Sequence, residues 1–383
     1  MVQAAEGRKR RPKQANGNGG ARYRADKGIW EWRHTTPDGR RFSGYAKTQV
    51  DAKARCMAKV RQAEKGIDVK ATKQKVGDYL TWWLENIVTP KLAPKTIKSY
   101  SDIVRLHLTP DLGKHELGKL TPQHVQTLLR AKEKAGLSPR SVAMIREVLR
   151  RALNVAIKMQ MIERNAAAQT EPPRLVKTDR RMFTPAEAKQ LLSQVETDRL
   201  AALYRVALTL GMRQAEIIGL RWVDVDLEQG VLRVRQSLQR IGSEIHIKEP
   251  KTDRSRRTLA LSSSLVRALT AHRDKQAFER RQAGKRWVDS SLVFTTTTGS
   301  PLDARNLTRE FKRHLVAAGL PETTRFYDMR HAAASLLIAD GVPLTAVSAM
   351  LGHALTSTTL NVYAHVLPGG ERATADAMER LLG

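Results

Sequence analysis

Three side chains near the carboxy terminus are of the kinds that act on a phosphodiester: Arg330, His353 and Tyr363. An arginine grips non-bridging oxygens in a fixed fork, a histidine donates to one of them, and a tyrosine phenolate is a nucleophile that can carry a covalent phosphoryl group. Met329, Ala332, Ala333, Leu336 and Leu337 recur at helical spacing, and Gly341 followed by Pro343 ends that helix and starts the next. Arg330 is therefore expected in the first turns of an amphipathic helix. Leu344 to Leu351 reads as a shorter helix closed by Gly352, so that His353 leaves a helix end where a side chain can be aimed. Tyr363 follows a Thr/Ser-rich cap. Taken singly, each of the three also fits a packing or capping role.

Taken with its spacing, the stretch is more specific. Arg330-His331, then Leu351-Gly352-His353, then a tyrosine ten residues later in TTLNVYAH, resembles the carboxy-terminal signature of tyrosine recombinases of the phage-integrase type. Upstream, GMRQAEIIGLRW follows a mostly apolar helix over Leu200 to Leu210 and sets Arg213 and Glu216 one helical turn apart. By themselves these two fit a surface ion pair equally well. The resemblance implies that Arg213 is the first catalytic arginine and Glu216 an acidic residue behind it, with Ala215 standing where Gly is common. Strand signals over Val231–Gln236, Glu244–Glu249 and Arg257–Leu261 bracket a basic turn that begins Pro250-Lys251-Thr252. This turn resembles the family's hairpin and implies Lys251 as general acid, a task suited to an ammonium that nearby arginines steer toward a lower pKa. Lys248 is its rival, three residues upstream but facing another way in an extended strand.

The family pattern is broken at one position. Where most members read His-x-x-Arg, this chain reads Tyr327-Asp328-Met329-Arg330. A tyrosine, with a pKa of about 10, is a poor base near neutral pH. Tyr327 is therefore expected to orient the phosphate, with removal of the nucleophile's proton left to water or His353. His331, four residues past Tyr327, is expected beside it on the helix, where packing is the simple explanation.

The elements that must position these residues occupy a chain of 383 residues, long enough for two or three domains. Lys and Arg number 67 against 38 Asp and Glu, a formal charge of +29 that favours a polyanionic partner. No apolar run approaches the ~20 residues of a membrane-spanning helix, so nucleic acid is preferred to a membrane surface. The basic stretch Met1 to Lys13 lacks the apolar core of a secretory signal, which points to the cytoplasm, at the nucleoid. The lone Cys56 excludes an intrachain disulfide and a Cys-based zinc site, and suits helix packing.

The reading in order is a basic arm (residues 1–20), a small β-sheet-plus-helix domain (21–70), an all-helical domain (73–165), a linker with Pro172-Pro173 (166–179), and a mixed α+β domain with a carboxy-terminal tail (180–383). Overall this is a multidomain, mainly α fold with small β-sheets. The arm reads equally well as a DNA contact or a solvated tail. In the small domain, three antiparallel strands backed by a helix from about Thr48 to Lys65 leave Arg22, Arg24, Arg33, Arg40 and Arg41 on the open face. It resembles the arm-site-binding domain of phage integrases, with a plain scaffold as the alternative. In the helical domain, Thr121-Pro122 and Ser138-Pro139 are cap and first-turn pairs. The helix from Pro139 buries Val142, Ile145, Leu149, Leu153 and Ile157, and leaves Arg140, Arg146, Arg150, Arg151 and Lys158 toward solvent. Lys98 and Arg105 decorate an earlier helix. This block resembles the family's core-binding domain, in which phosphate contacts dominate affinity.

The resemblance, covering about Val76 to Leu367, implies a site-specific recombinase without metal or other cofactor. It implies double-stranded DNA as partner, at core and arm attachment sites, and a homotetramer on DNA. A DNA-bending host factor and an excision directionality factor would be further partners. Two alternatives use the same residues differently: a type IB topoisomerase-like enzyme that relaxes DNA, and a catalytically inactive DNA-binding regulator.

Overall fold

The computed structural model describes residues 20–35, 39, 41–64, 71–175, 183–249, 256–352, 357, 360, 378–380 and 382. Its contacts divide the chain into two units, Met1–Lys177 and Thr178–Gly383.

In the first unit, β1 (Gly20–Arg24), β2 (Ile29–Thr35) and β3 (Arg41–Ala46) form an antiparallel sheet in that order, followed by helix α1 (Gln49–Glu64). Residues opposite one another in the register share a face. Trp32 stands opposite Ala21 and Gly44, and with Ala46 packs against Ala52 and Cys56 of α1. Gly44 is required there, because a Cβ at this position would lie 2.7 Å from the Trp32 indole. Cys56 is buried, and burial pushes its thiol pKa up, in keeping with a packing role. The other face carries Arg22 opposite Glu31 and Arg33 opposite Ser43.

The helical part comprises α2 (Val76–Trp83), α3 (Pro94–Ile103), α4 (Thr109–Leu112), α5 (Pro122–Lys134) and α6 (Pro139–Lys158). Thr121 and Ser138 cap α5 and α6 through side-chain oxygens that accept from His124 N and Ser141 N at 3.3 and 3.2 Å. The α6 stripe of Val142, Ile145, Val148, Leu149, Ala152, Leu153 and Ala156 is buried against Tyr79, Leu80 and Trp83 of α2 and Val125, Leu128 and Leu129 of α5. Tyr79 Oη donates to Ala152 O at 2.6 Å and ties α2 to α6. Two π-helical turns, Leu84–Val88 and Val104–Leu108, extend α2 and α3; nothing in the apolar spacing announces them.

The second unit opens with α7 (Pro185–Gln194), where Thr184 and Glu187 form a reciprocal capping box. Next come α8 (Ala201–Leu210) and α9 (Gln214–Ile218). The strands β4 (Val225–Asp226), β5 (Val231–Val234) and β8 (Arg257–Ala260) form one sheet, and β6 (Ser237–Ile241) with β7 (Glu244–Lys248) a separate hairpin. The helices α10 (Ser263–Ala283), α11 (Ala304–Ala317), α12 (Asp328–Ala339) and α13 (Leu344–Leu351) complete it. Leu203, Tyr204, Leu232, Leu259, Phe294, Phe311 and Met329 meet in one core with α8 at its centre.

The structure amends the expectation for α12. Its first two turns are not amphipathic: Met329, Arg330, His331, Ala332, Ala333, Ala334 and Ser335 are all buried. The small side chains let α8 and α13 approach from several sides, and Arg330 is enclosed with them.

Candidate active site

The site is built where α8 gives way to α9. Gly211 takes a left-handed conformation (φ +57°) at the end of α8, and Arg213 then stands in extended conformation as the N-cap of α9. Glu216, three residues on, accepts from Arg213 N at 2.9 Å and from Arg213 Nη1 at 2.7 Å. Glu216 is only 7% exposed, and its position in the first turn of a helix favours its negative charge.

A second arginine shares that carboxylate. Arg257 of β8 donates from Nη2 to Glu216 Oε2 at 2.8 Å and from Nε to Met350 O at 2.6 Å. Burial by itself would raise the Glu216 pKa, but hydrogen bonding and charge from Arg257, reinforced by Arg213, outweigh it and hold the group at about 2. One buried carboxylate thus fixes two guanidiniums from different elements.

Arg330 is 1% exposed. It donates from Nη1 to Gly211 O at 2.7 Å and from Nη2 to Leu351 O at 2.5 Å. The last carbonyls of α13, which the helix itself leaves unsatisfied, are therefore taken by two arginines: Met350 by Arg257 and Leu351 by Arg330. The helix closes there on Gly352 in left-handed conformation (φ +66°), one residue before His353. Both acceptors of Arg330 are neutral, and no carboxylate among the described residues forms an ion pair with it. Burial, followed by the nearby charge of Arg213, pushes its pKa down to about 10, so the cation persists at neutral pH. A buried guanidinium with no carboxylate ion pair among the described residues, near a second guanidinium, Arg213, makes a seat for an oxyanion.

Tyr327 caps the start of α12, is 44% exposed, and meets the His331 ring edge-on at 5.0 Å, as the four-residue spacing predicts. His331 itself is buried. Arg213, Arg330 and Tyr327 are thus brought together, while Lys251, His353 and Tyr363 lie outside the described residues. Arg257 went unnoticed in the sequence as a site residue. The signal was present: it alternates with Leu259 on the inward face of β8, where a cation needs a partner.

Of the basic residues expected on open faces, Arg24 and Arg33 flank Glu31, Arg22 lies on the same sheet face, and Arg40 is outside the described residues. Lys98 and Arg105 share Asp102, Arg140 is exposed at the start of α6, and Arg150 pairs with Glu147. Arg146 differs from the expectation of a solvent-facing side chain. Its guanidinium donates to Thr170 Oγ1 at 2.9 Å and Thr170 O at 2.8 Å, which holds the chain that leaves α6. Among the described residues, no helix is long and apolar enough to cross a membrane.

Residues 181–369 match the family model described as "Phage integrase family", and residues 75–132 match "Phage integrase, N-terminal SAM-like domain". An integrase of Streptomyces ambofaciens is 31% identical over 345 residues, covering 85% of this chain and 86% of that protein. In solved structures, the Tn1549 transposon integrase in complex with a circular intermediate DNA superposes with a TM-score of 0.68 at 21% identity, over 80% of this chain and 99% of that one. A lambda integrase tetramer bound to a Holliday junction superposes with a TM-score of 0.57 at 18% identity, over 90% of this chain and 98% of that one. The two structural likenesses speak for the fold, and the sequence matches for descent: the chain belongs to the phage integrase family of tyrosine recombinases, enzymes that transfer DNA strands.

Proposed function

We propose that this protein is the site-specific integrase of a phage or integrative element, cutting and rejoining double-stranded DNA through a 3′-phosphotyrosyl intermediate. The observation that carries the reading is Arg330, a buried cation with no carboxylate ion pair among the described residues, anchored to carbonyls on both sides and set near Arg213. Such a cation is costly to bury and gains its counter-charge when a phosphate arrives.

In this mechanism the Tyr363 oxygen attacks the scissile phosphorus, and the bond from phosphorus to the 5′-oxygen breaks. Arg213, Arg330 and His353 stabilise the charge that develops on the non-bridging oxygens. Lys251 gives its proton to the leaving 5′-oxygen. The phosphodiester energy is kept in the tyrosyl link, so a 5′-hydroxyl from a second duplex can reverse the step and yield a Holliday junction. Tyr327 hydrogen-bonds the phosphate, and the nucleophile's proton leaves to water or His353, which favours cleavage at higher pH. The buried Glu216 and Arg257 hold Arg213 and the end of α13 in place; their effect on chemistry is indirect.

The enzyme works as a homotetramer on paired core sites. Residues 73–165 and the carboxy-terminal domain grip the core duplex, with Lys98, Arg105, Arg140 and Arg150 on phosphates. The small sheet domain holds arm sites through Arg22, Arg24, Arg33 and Arg40. A DNA-bending host protein and a directionality factor assist, and the work is done in the cytoplasm on nucleoid DNA.

Strand exchange between two duplexes carrying the element's attachment sites tests this. Reciprocal recombinants with conserved linking of the flanks are expected. Relaxation of supercoiled plasmid with no exchange would move the protein to the topoisomerase class, and binding with neither activity to the regulators.

A further inference from the structure

The sheet that supplies Arg257 to the site has a second basic face. In the pairing of β5 with β8, Leu232 stands opposite Leu259 and Val234 opposite Arg257, all turned to the interior, while Arg233 stands opposite Thr258 on the other face. Arg235 and Arg256 continue that alternation beyond the strand ends. With Arg221, Gln236 and Glu249 they line a cavity of ≈ 590 Å³.

The charges there do not cancel. Arg221 donates to Asp224 at 2.7 Å, Arg235 lies 3.8 Å from the same carboxylate, and Arg256 pairs with Glu249 at 2.8 Å. Among the described residues, four guanidiniums thus face two carboxylates. Arg257 is already matched by Glu216. The Arg233 side chain is half-buried and, among the described residues, has neither an ion pair nor a hydrogen bond. A cation held in a concave wall without an anion of its own is poised for one from outside. The cavity also sits one residue along β8 from Arg257, and hence next to the Glu216–Arg213 pair, and it leads in sequence to the turn that carries Lys251.

We propose that this cavity seats a backbone phosphate of the cleaved duplex, flanking the scissile one, with Arg233 as its principal ligand and Arg221, Arg235 and Arg256 as its rim. The inference rests on the integrase reading above. It adds a contact that fixes the register of the duplex over the site without reading bases.

The test measures binding of the full chain to a fluorescent core half-site duplex across a salt series. Replacement of Arg233 by Gln should weaken binding about tenfold at moderate salt and reduce the slope of log affinity against log salt by ~0.9, the value for one phosphate contact. Arg233→Lys should retain the slope. Single methylphosphonates placed through the flanks should reveal one neutralised phosphate that weakens the wild type about tenfold but adds nothing to the loss in Arg233→Gln. Thermal unfolding should be nearly the same for all three proteins, because the Arg233 side chain has no ion-pair or hydrogen-bond partner among the described residues.

An unchanged salt slope in Arg233→Gln, or methylphosphonates that weaken variant and wild type equally at every position, would overturn the seat. A variant that binds half-sites normally but fails to assemble on paired sites would also overturn it, and would assign the cavity to an acidic segment of another copy. If the wild type itself neither binds nor cleaves core duplex, the integrase reading fails first, and the two failures remain distinct.

Discussion

Replacing Glu216 by Gln removes one negative charge from a buried carboxylate that two arginines share, and leaves its shape. The Glu216 pKa is held at about 2 against an ordinary 4.5, and at about 1.4 kcal/mol per pKa unit the difference is worth roughly 3 kcal/mol. The group is depressed, so its contribution is complete above the unfolded value and is lost as pH falls from about 4.5 toward 2. At pH 7 the variant should therefore be less stable than the wild type by about 3 kcal/mol, a gap that should narrow steadily below pH 4.5 and nearly close at pH 2. Hydrogen exchange at the amides of α9 and β8, with the full chain in a urea series at several pH values, reads this region rather than a chain average. A loss under about 0.5 kcal/mol at pH 7, or a gap that does not depend on pH between 5 and 2, would refute the view that this carboxylate carries charge between the two arginines.

Other expectations follow from the same geometry. Arg257→Lys cannot serve Glu216 and Met350 O together, so core-site cleavage should fall at least about tenfold while half-site affinity in gel shift stays near wild type; equal cleavage would remove Arg257 from the positioning role. Gly211→Ala places a Cβ 2.8 Å from Leu351 Cδ2 at a left-handed φ, so thermal unfolding should show a loss of ~1–3 kcal/mol, and no loss would mean that α13 is free to shift. Tyr327→His should raise the cleavage rate at neutral pH and flatten its rise with pH, whereas Tyr327→Phe should lower it only modestly. A histidine variant that is folded and binds DNA but does not cleave would show that Tyr327 does more than orient the phosphate.

Much of the frame was legible because its signals are local. Thr121, Ser138 and Thr184 mark helix starts by side chains that bond within three residues, and the α6 stripe needs only its own spacing. The three strands of the small sheet were read from short runs in the sequence, and the register puts Arg22 and Arg33 on one face and Trp32 on the other. What remained hidden depends on distant backbone. Nothing in the sequence around Arg330 says that its partners are the carbonyls of Gly211 and Leu351, since every residue offers the same acceptor. Strand β6 went unread because, within Ser237–Ile241, Leu238 alone is deeply buried, too little for an alternating pattern. Arg257 was legible as a strand residue but not as a clamp, because its two partners come from α9 and α13. Resemblance of spacing singled out Arg213 and Arg330; Arg257, the sharing of Glu216 between two arginines and the grip on α13 emerged from the fold.

The central claim is that Tyr363 becomes covalently joined to DNA. A suicide duplex nicked just beyond the cleavage position lets the short fragment bearing the released 5′-hydroxyl diffuse away and traps the adduct. Digestion and mass spectrometry of the trapped protein should then find the 3′-phosphoryl nucleotide on the peptide containing Tyr363, and Tyr363→Phe should bind the same duplex with unchanged affinity and give no adduct. An adduct on another residue, or wild-type levels of adduct in Tyr363→Phe, would contradict the account.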